Sequence, residues 1–388
     1  MSAPLADLEP EVVERVRDRL AGRPGELTPH RVAEALRDAG RPVGDATVLA
    51  VYESLRRDVV GSGPLEPLLR LPGVTDVLVN GPHQVYVDRG GGLEVTAVRF
   101  ADDDAVRRLA QRLAALAGRR LDDSAPFADL RLPDGTRFHA VLAPVSRPGT
   151  TISLRVPSAR AFTIEELVAA GTLTDRLATV VRALVVARAA LLVSGGTGSG
   201  KTTLLAALLS LVDPAERLVL VEDASELRPD HPHVVGLEGR PANVEGAGAI
   251  ELRTLVRQAL RMRPDRLVVG EVRGGEVVEL LAALNTGHDG GCGTLHANSA
   301  RDVPARVEAL ALAAGLDRAA AHSQLASGVH AVLHLERGRD GRRRVAEVAV
   351  PRRGADGLVS MVPAVTLDDA GRLHEGVGAA DLALVLER

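Results

Sequence analysis

Residues 191–209 read LLVSGGTGSGKTTLLAALL. An apolar run of Leu and Val leads into a glycine-rich turn, and the turn leads into a second apolar run of helical composition. At its centre GGTGSGKT, residues 195–202, fits the pattern G-x-x-x-x-G-K-[ST] in full. The flanking strand and helix matter, because a phosphate-binding loop works only between them. Gly195, Gly198 and Gly200 allow the backbone to curl so that successive N–H groups converge as an anion nest. The following helix adds its positive dipole end. Lys201 is a point charge able to reach β- and γ-phosphates, and Thr202 offers a hydroxyl to Mg²⁺. Gly196, Thr197, Ser199 and Thr203 complete the loop and the first helical turn. The stretch predicts a site for ATP with Mg²⁺ in an α/β domain.

The basic residues sharpen this reading. Of 47 Lys and Arg residues, Lys201 is the only lysine. A planar guanidinium does not fit where a compact ammonium must enter a closed loop. A chain that uses arginine everywhere else therefore keeps lysine at the one place where arginine fails.

Hydrolysis needs groups beyond the cradle. RLVLVEDASEL ends an apolar run with Glu222, Asp223 and Glu226, and strand ends in such sheets open toward the ligand crevice. Glu222 and Asp223 are candidates to hold Mg²⁺ through water, and Glu226 to activate the attacking water. RLVVGEVRGGE ends a second run at Glu271, the leading candidate to polarise the water. Gly270 stands where many P-loop enzymes place Asp, so Mg²⁺ is assigned mainly to Thr202, phosphates and water. NTGHDGGCGTLHANS carries His288 and His296 in a glycine-rich turn, which suggests sensing of the γ-phosphate. No Cys or carboxylate stands near them at zinc-ligand spacing. Cys292 is read as a packing residue.

Outward from this core the chain divides. Residues 1–58 read as helical, with EPEVVERVRDRL, TPHRVAEALRDAG and DATVLAVYESLRRDVV carrying apolar residues at three- and four-residue spacing. Residues 59–157 read as a small α+β domain. In it, two β-rich runs within GVTDVLVNGPHQVYVDRGGGLEVTAVRF flank a glycine turn. A helix follows at DDAVRRLAQRLAALAG, and then strands at ADLRLPDGTRFHAVLAPVS and TTISLRVPS, the first two joined by a Pro-Asp-Gly turn. ARAFTIEELVAAGTLT reads as a connector, giving a linker over 158–175. From 176 to 388 short Val/Leu runs alternate with helical patterns, the rhythm of a mostly parallel sheet. HAVLHLERGRDGRRRVAEVAV closes this domain as a charged hairpin tail.

Composition bounds the function. In 388 residues, 46% hydrophobic and 25% charged is ordinary for a globular protein. Aromatics at 2% leave no stacking platform for single-stranded nucleic acid, and a net charge of −4 draws the chain to neither nucleic acid nor an anionic membrane. The most apolar run carries Arg182 and Arg188 and ends in glycines, so no membrane span is expected. The acidic, amphipathic N-terminus lacks the apolar stretch of a signal peptide, and a single cysteine suits a reducing compartment; both point to the cytoplasm.

Together these motifs resemble the secretion ATPase superfamily, the type II and type IV secretion and type IV pilus motors. The likeness runs from GPLEPLLRLPGVTDVLVNGP through RLPDGTR, the P-loop, VEDASELRPDHPHVVGLEGRPANVEG, LVRQALRMRPDRLVVGEVRGGE and NTGHDGGCGTLHANS. Arg257 to Asn298 is its most specific part, and the nearest likeness is to the CpaF/Tad branch, including conjugal-transfer-associated ATPases. The resemblance implies a homo-hexamer whose RecA-like motor domain is hinged to an N-terminal domain. It implies an Asp box (Glu222, Asp223, Glu226), a Walker B glutamate (Glu271) and a His box (His288, His296). It also implies that Arg137 and Arg155, with Arg131 the weaker match, approach the γ-phosphate. The implied activity is ATP hydrolysis driving pilus assembly or secretion, through inner-membrane platform proteins at the cytoplasmic face. Two alternatives stand beside it: a conjugation-type ATPase for DNA or protein transfer, and a RecA-like motor acting directly on nucleic acid.

Overall fold

The computed structural model describes residues 28–38, 44, 47–49, 51–52, 61–157, 160–240, 242, 247–338, 341–368 and 370–388. It divides into two compact units, 1–158 and 159–388. Of the helical reading of 1–58, only α1 (Pro29–Asp38) is a described element, and EPEVVERVRDRL lies outside the described residues.

The first unit holds the short helix α2 (Glu66–Leu69) and strands β1 (Asp76–Asn80), β2 (Val85–Asp88) and β3 (Leu93–Val95). Helix α3 (Asp103–Leu116) follows, and then β4 (Phe127–Arg131), β5 (Arg137–Val141) and β6 (Thr151–Arg155). The strands pair antiparallel in the order β3-β2-β1-β6-β5-β4. Where two strand runs were expected before α3, a turn at Gly81-Pro82 cuts the first run in two; Gly81 takes φ 75°, open to glycine at no steric cost. Asp102 caps α3 by accepting from the Ala105 N–H at 2.7 Å. Val106, Leu109, Ala110, Leu113 and Ala114, at three- and four-residue spacing, bury one face of α3 with Val77, Val79, Phe138, Ile152 and Leu154 of the sheet. The Pro-Asp-Gly turn forms as read, with Gly135 at φ 90° and Asp134 accepting from the Thr136 N–H at 2.9 Å.

The second unit begins with α4 (Ile164–Ala169) and α5 (Asp175–Val186). It continues through β7 (Leu191–Gly195), α6 (Lys201–Leu209), β8 (Leu218–Glu222), β9 (Val234–Glu238), α7 (Leu252–Ala259), β10 (Arg266–Val272), α8 (Glu276–Leu284) and β11 (Cys292–His296). Helices α9 (Val303–Ala313) and α10 (Arg318–Gly328) come next, then β12 (Ala331–Arg337), β13 (Arg343–Arg353), β14 (Val359–Leu367), β15 (Leu373–Glu375) and α11 (Ala379–Leu386). The nine strands lie in the order β15-β14-β13-β12-β7-β11-β10-β8-β9. From β12 to β9 all neighbours are parallel, and from β12 to β15 all are antiparallel.

β7 and β8 are buried at every residue because helices cover both faces. Alternation then sorts the side chains: Leu191, Val193, Leu218 and Leu220 face one core with α4, α5, α6 and α11, while Leu192, Val219 and Val221 face the other with α7 to α10. The stretch read as a connector is part of this packing. Thr163 and Glu166 form a reciprocal capping box at α4, whose Ile164 and Leu167 are buried in the first of these cores. The hairpin read as a tail is likewise internal, since β12 pairs with β7 and is buried over its first five residues.

Candidate active site

The parallel strand order brings the C-terminal ends of β7, β11, β10 and β8 to one edge of the sheet, where ligands of open α/β sheets bind. The β7–α6 loop, residues 195–200, sits at that edge. Gly195, Gly198 and Gly200 take φ of 151°, 70° and 99°. Gly195 is required twice over, because a Cβ there would meet the Leu335 carbonyl oxygen at 2.5 Å and Ser199 Oγ at 2.7 Å. Gly196, Thr197 and Gly198 form the exposed tip, and Thr202 and Thr203 are half-buried in the first turn of α6. Gly200 caps α6 without a side-chain acceptor for the first-turn N–H groups. Ser199 Oγ is buried without a hydrogen-bond partner among the described residues. First-turn donors without a side-chain cap and an orphaned hydroxyl suit an oxyanion.

Lys201 is 7% exposed. Its Nζ donates to the carbonyl oxygens of Gly195 at 3.1 Å and Gly196 at 2.9 Å, and lies 3.3 Å from His296 Nδ1. His296 Nε2 is 2.6 Å from Glu271 Oε1, and the other oxygen of Glu271 accepts from Arg273. Arg273 Nη1 in turn lies 3.9 Å from Asp223. One chain of contacts thus joins the loop lysine, the last residue of β11, the carboxylate of β10 and the acidic segment after β8.

The electrostatics follow from that chain. Burial lowers the Lys201 pKa, opposed by the charge of Glu271. Burial also lowers His296, reinforced by the positive charge of Lys201, so the imidazole is neutral near pH 7. Its Nδ1 accepts from Lys201, which leaves the proton of the neutral ring on Nε2, 2.6 Å from Glu271 Oε1 but outside hydrogen-bond geometry. Burial pushes the Glu271 carboxyl up, but the hydrogen bond and charge of Arg273, with His296 and Lys201, outweigh it and hold the group below its ordinary value. Glu271 is therefore a carboxylate at neutral pH.

Two sequence assignments change. Glu222 is buried, and its Oε1 accepts from the backbone N–H groups of Glu226 at 3.0 Å and Leu227 at 2.9 Å. That carboxylate oxygen shapes the loop that carries Glu226. It also explains Gly270: a Cβ at that position would meet Glu222 Cγ at 2.5 Å. The aspartate that many P-loop enzymes carry there would displace the Glu222 side chain, a steric constraint that no local pattern reveals. His288 is the second change. It follows α8, lies 3.3 Å from the Ala283 carbonyl oxygen, and precedes the N-terminal end of β11, whereas His296 ends that strand. Four strand steps, about 13 Å, separate the ends of β11. The two histidines do not converge, and only His296 joins Lys201.

Asp223 and Glu226 are exposed and lie in the field of Arg273. Arg273, which the sequence reading did not single out, is the link that fixes Glu271. Cys292 is buried, and burial pushes its thiol up to about 12, consistent with packing. In the first unit, register places Arg131 opposite Arg137, and Arg137 opposite Arg155, in one row across β4, β5 and β6. Asp129 pairs with Arg137 at 3.2 Å and Asp76 with Arg155 at 3.2 Å. Like charges placed directly opposite repel, and Asp129 and Asp76 offset that repulsion.

A family profile described as type II/IV secretion system protein matches residues 58–363. The chain belongs to this family. A Mycobacterium tuberculosis relative named for conjugal transfer is 56% identical over 347 residues, covering 86% of this chain and 97% of the relative. The type IV secretion system protein PtlH of Bordetella pertussis is 32% identical over 313 residues, covering 73% and 92%. Among solved structures, the DotB ATPase of Yersinia pseudotuberculosis superposes with a TM-score of 0.53 at 20% identity, over 78% of this chain and 80% of that one. The pilus retraction motor PilT, solved with ADP, gives 0.51 at 20% identity over 81% and 82%. The fold of this family member is thus the RecA-like α/β fold of these structures, preceded by a smaller domain. Among the described residues no helix is long and apolar enough to cross a membrane.

Proposed function

We propose that the chain is the ATP-hydrolysing motor subunit of a type II/IV secretion machine, working as a homo-hexamer at the cytoplasmic face of the inner membrane. The observation that carries the proposal is the continuous contact from Lys201 through His296 to Glu271. It joins a phosphate-binding loop to an ionised carboxylate that can polarise water. ATP is the substrate. The loop N–H groups and Lys201 would hold its phosphates. Thr202, with phosphates and water, would hold Mg²⁺, which supplies charge neutralisation when bound. The carboxylate of Glu271 orients and deprotonates the attacking water, Arg273 keeps it charged, and neutral His296 fixes its position relative to Lys201. Arg137 and Arg155 supply positive charge to the γ-phosphate, an assignment supported by family membership and by their shared row.

The machine we assign is a Tad-type pilus assembly or secretion system, reached through inner-membrane platform proteins. The names of the relatives favour a second reading, a conjugation-type motor for DNA or protein transfer. The active-site assignment is tested by Glu271→Gln. The variant keeps shape and removes the charge, so it should bind ATP as the parent does while losing turnover by about a hundredfold or more. Turnover close to the parent would remove Glu271 from its role and promote Glu226.

A further inference from the structure

The loop has a second neighbour on the side away from Glu271. β7 lies between β11 and β12, and Leu335 of β12 pairs with Gly195. The contact is close enough that a Cβ on Gly195 would meet the Leu335 carbonyl oxygen at 2.5 Å. β12 and β13 therefore leave and return beside the phosphate loop, with Arg337 opposite Arg343 in register. At Gly200 a Cβ would find Arg343 Cδ at 3.4 Å and Leu335 Cδ2 at 3.7 Å. The stem of Arg343 thus runs over the last glycine before Lys201. Among the described residues the Arg343 guanidinium makes no hydrogen bond or ion pair, whereas Arg337 donates to the Gly341 carbonyl at 3.2 Å.

We propose that Arg343 binds the nucleoside end of the nucleotide, its ribose and base. The inference rests on the ATP reading above and deepens it. Polarity follows from strand order. Glu271 and His296, on β10 and β11, mark where the γ-phosphate must lie, so the nucleoside end lies toward β12 and β13. Gly200 faces both sides: its φ of 99° opens the loop, and the arginine stem crosses within van der Waals reach of it. A guanidinium suits this end, because it can donate to ribose hydroxyls and lie flat against a purine. The two cations then divide the ligand, Lys201 at the β,γ end and Arg343 at the other.

The test is titration calorimetry of the full chain and Arg343→Ala with ADP, ATP and inorganic tripolyphosphate, which lacks a nucleoside. The substitution should weaken ADP and ATP by about tenfold or more, the scale of one charge-assisted hydrogen bond, and leave tripolyphosphate within about twofold. Unchanged ADP affinity, or equal weakening of ADP and tripolyphosphate, overturns the assignment while leaving the ATP reading intact. If the unsubstituted chain binds none of the three, the ATP reading itself fails, and this inference with it.

Discussion

A single histidine links the two charges of the active site. His296 stays neutral because it is half-buried beside an ammonium, with Nδ1 accepting from Lys201 and Nε2 facing Glu271. Burial also lowers His330 and His334, and His334 Nδ1 lies 2.9 Å from Ser194 Oγ on β7. The sign for stability follows. These groups bind a proton less readily folded than unfolded, so stability is lost as pH falls below the ordinary histidine value, about 6.5, toward their lower folded values. The Glu271 carboxyl, also lowered, contributes the same sign only in the more acid range below about 4.5. Thermal unfolding followed from pH 7.5 to 5.5 should show Tm falling on acidification, with a shallower slope in His334→Gln. A variant slope equal to the parent's would place the titration elsewhere.

At the scale of elements, the packing of β8 against β10 decides which residue can stand beside Glu271. Gly270→Ala puts a methyl where Glu222 Cγ lies 2.5 Å away, and Gly270→Asp asks for more space still. Overpacking of this kind costs about 1–3 kcal/mol, and displacing Glu222 also frees the N–H groups of Glu226 and Leu227. Both variants should lower Tm and ATP turnover, the aspartate more, although aspartate is what a P-loop pattern would favour. Tolerance of Gly270→Asp would show that Glu222 can move. The same packing marks the limit of what the sequence showed. The central strands of the second sheet, α3, α6, α8 and the phosphate loop were legible because period, glycines and one lysine are local signals, whereas the edge strands β9, β14 and β15 were not. The reach of Glu222 toward Gly270, the inclusion of α4 in the core and the placing of β12 beside β7 depend on contacts distant in sequence. His288 and His296 looked alike for the same reason: a shared glycine-rich stretch does not tell which end of β11 each occupies.

For the whole molecule, the proposed role of Arg137 and Arg155 has its own test. Ala substitution of Arg137 and Arg155 together should lower turnover by about a hundredfold or more, the scale of arginine-finger effects, and leave most ATP affinity. If a fragment beginning at residue 160 hydrolyses ATP as fast as the full chain, the first unit has no part in the chemistry. The central claim, that the chain's only lysine sits where the β- and γ-phosphates bind, is met most directly by phosphate release from purified Lys201→Arg beside the parent, with Mg²⁺ and ATP. The substitution keeps the charge in a residue type this chain otherwise uses throughout. Severe loss of turnover is the predicted result, because the buried ammonium site between the Gly195 and Gly196 carbonyls and His296 does not fit a planar guanidinium. Normal hydrolysis by Lys201→Arg would contradict the account.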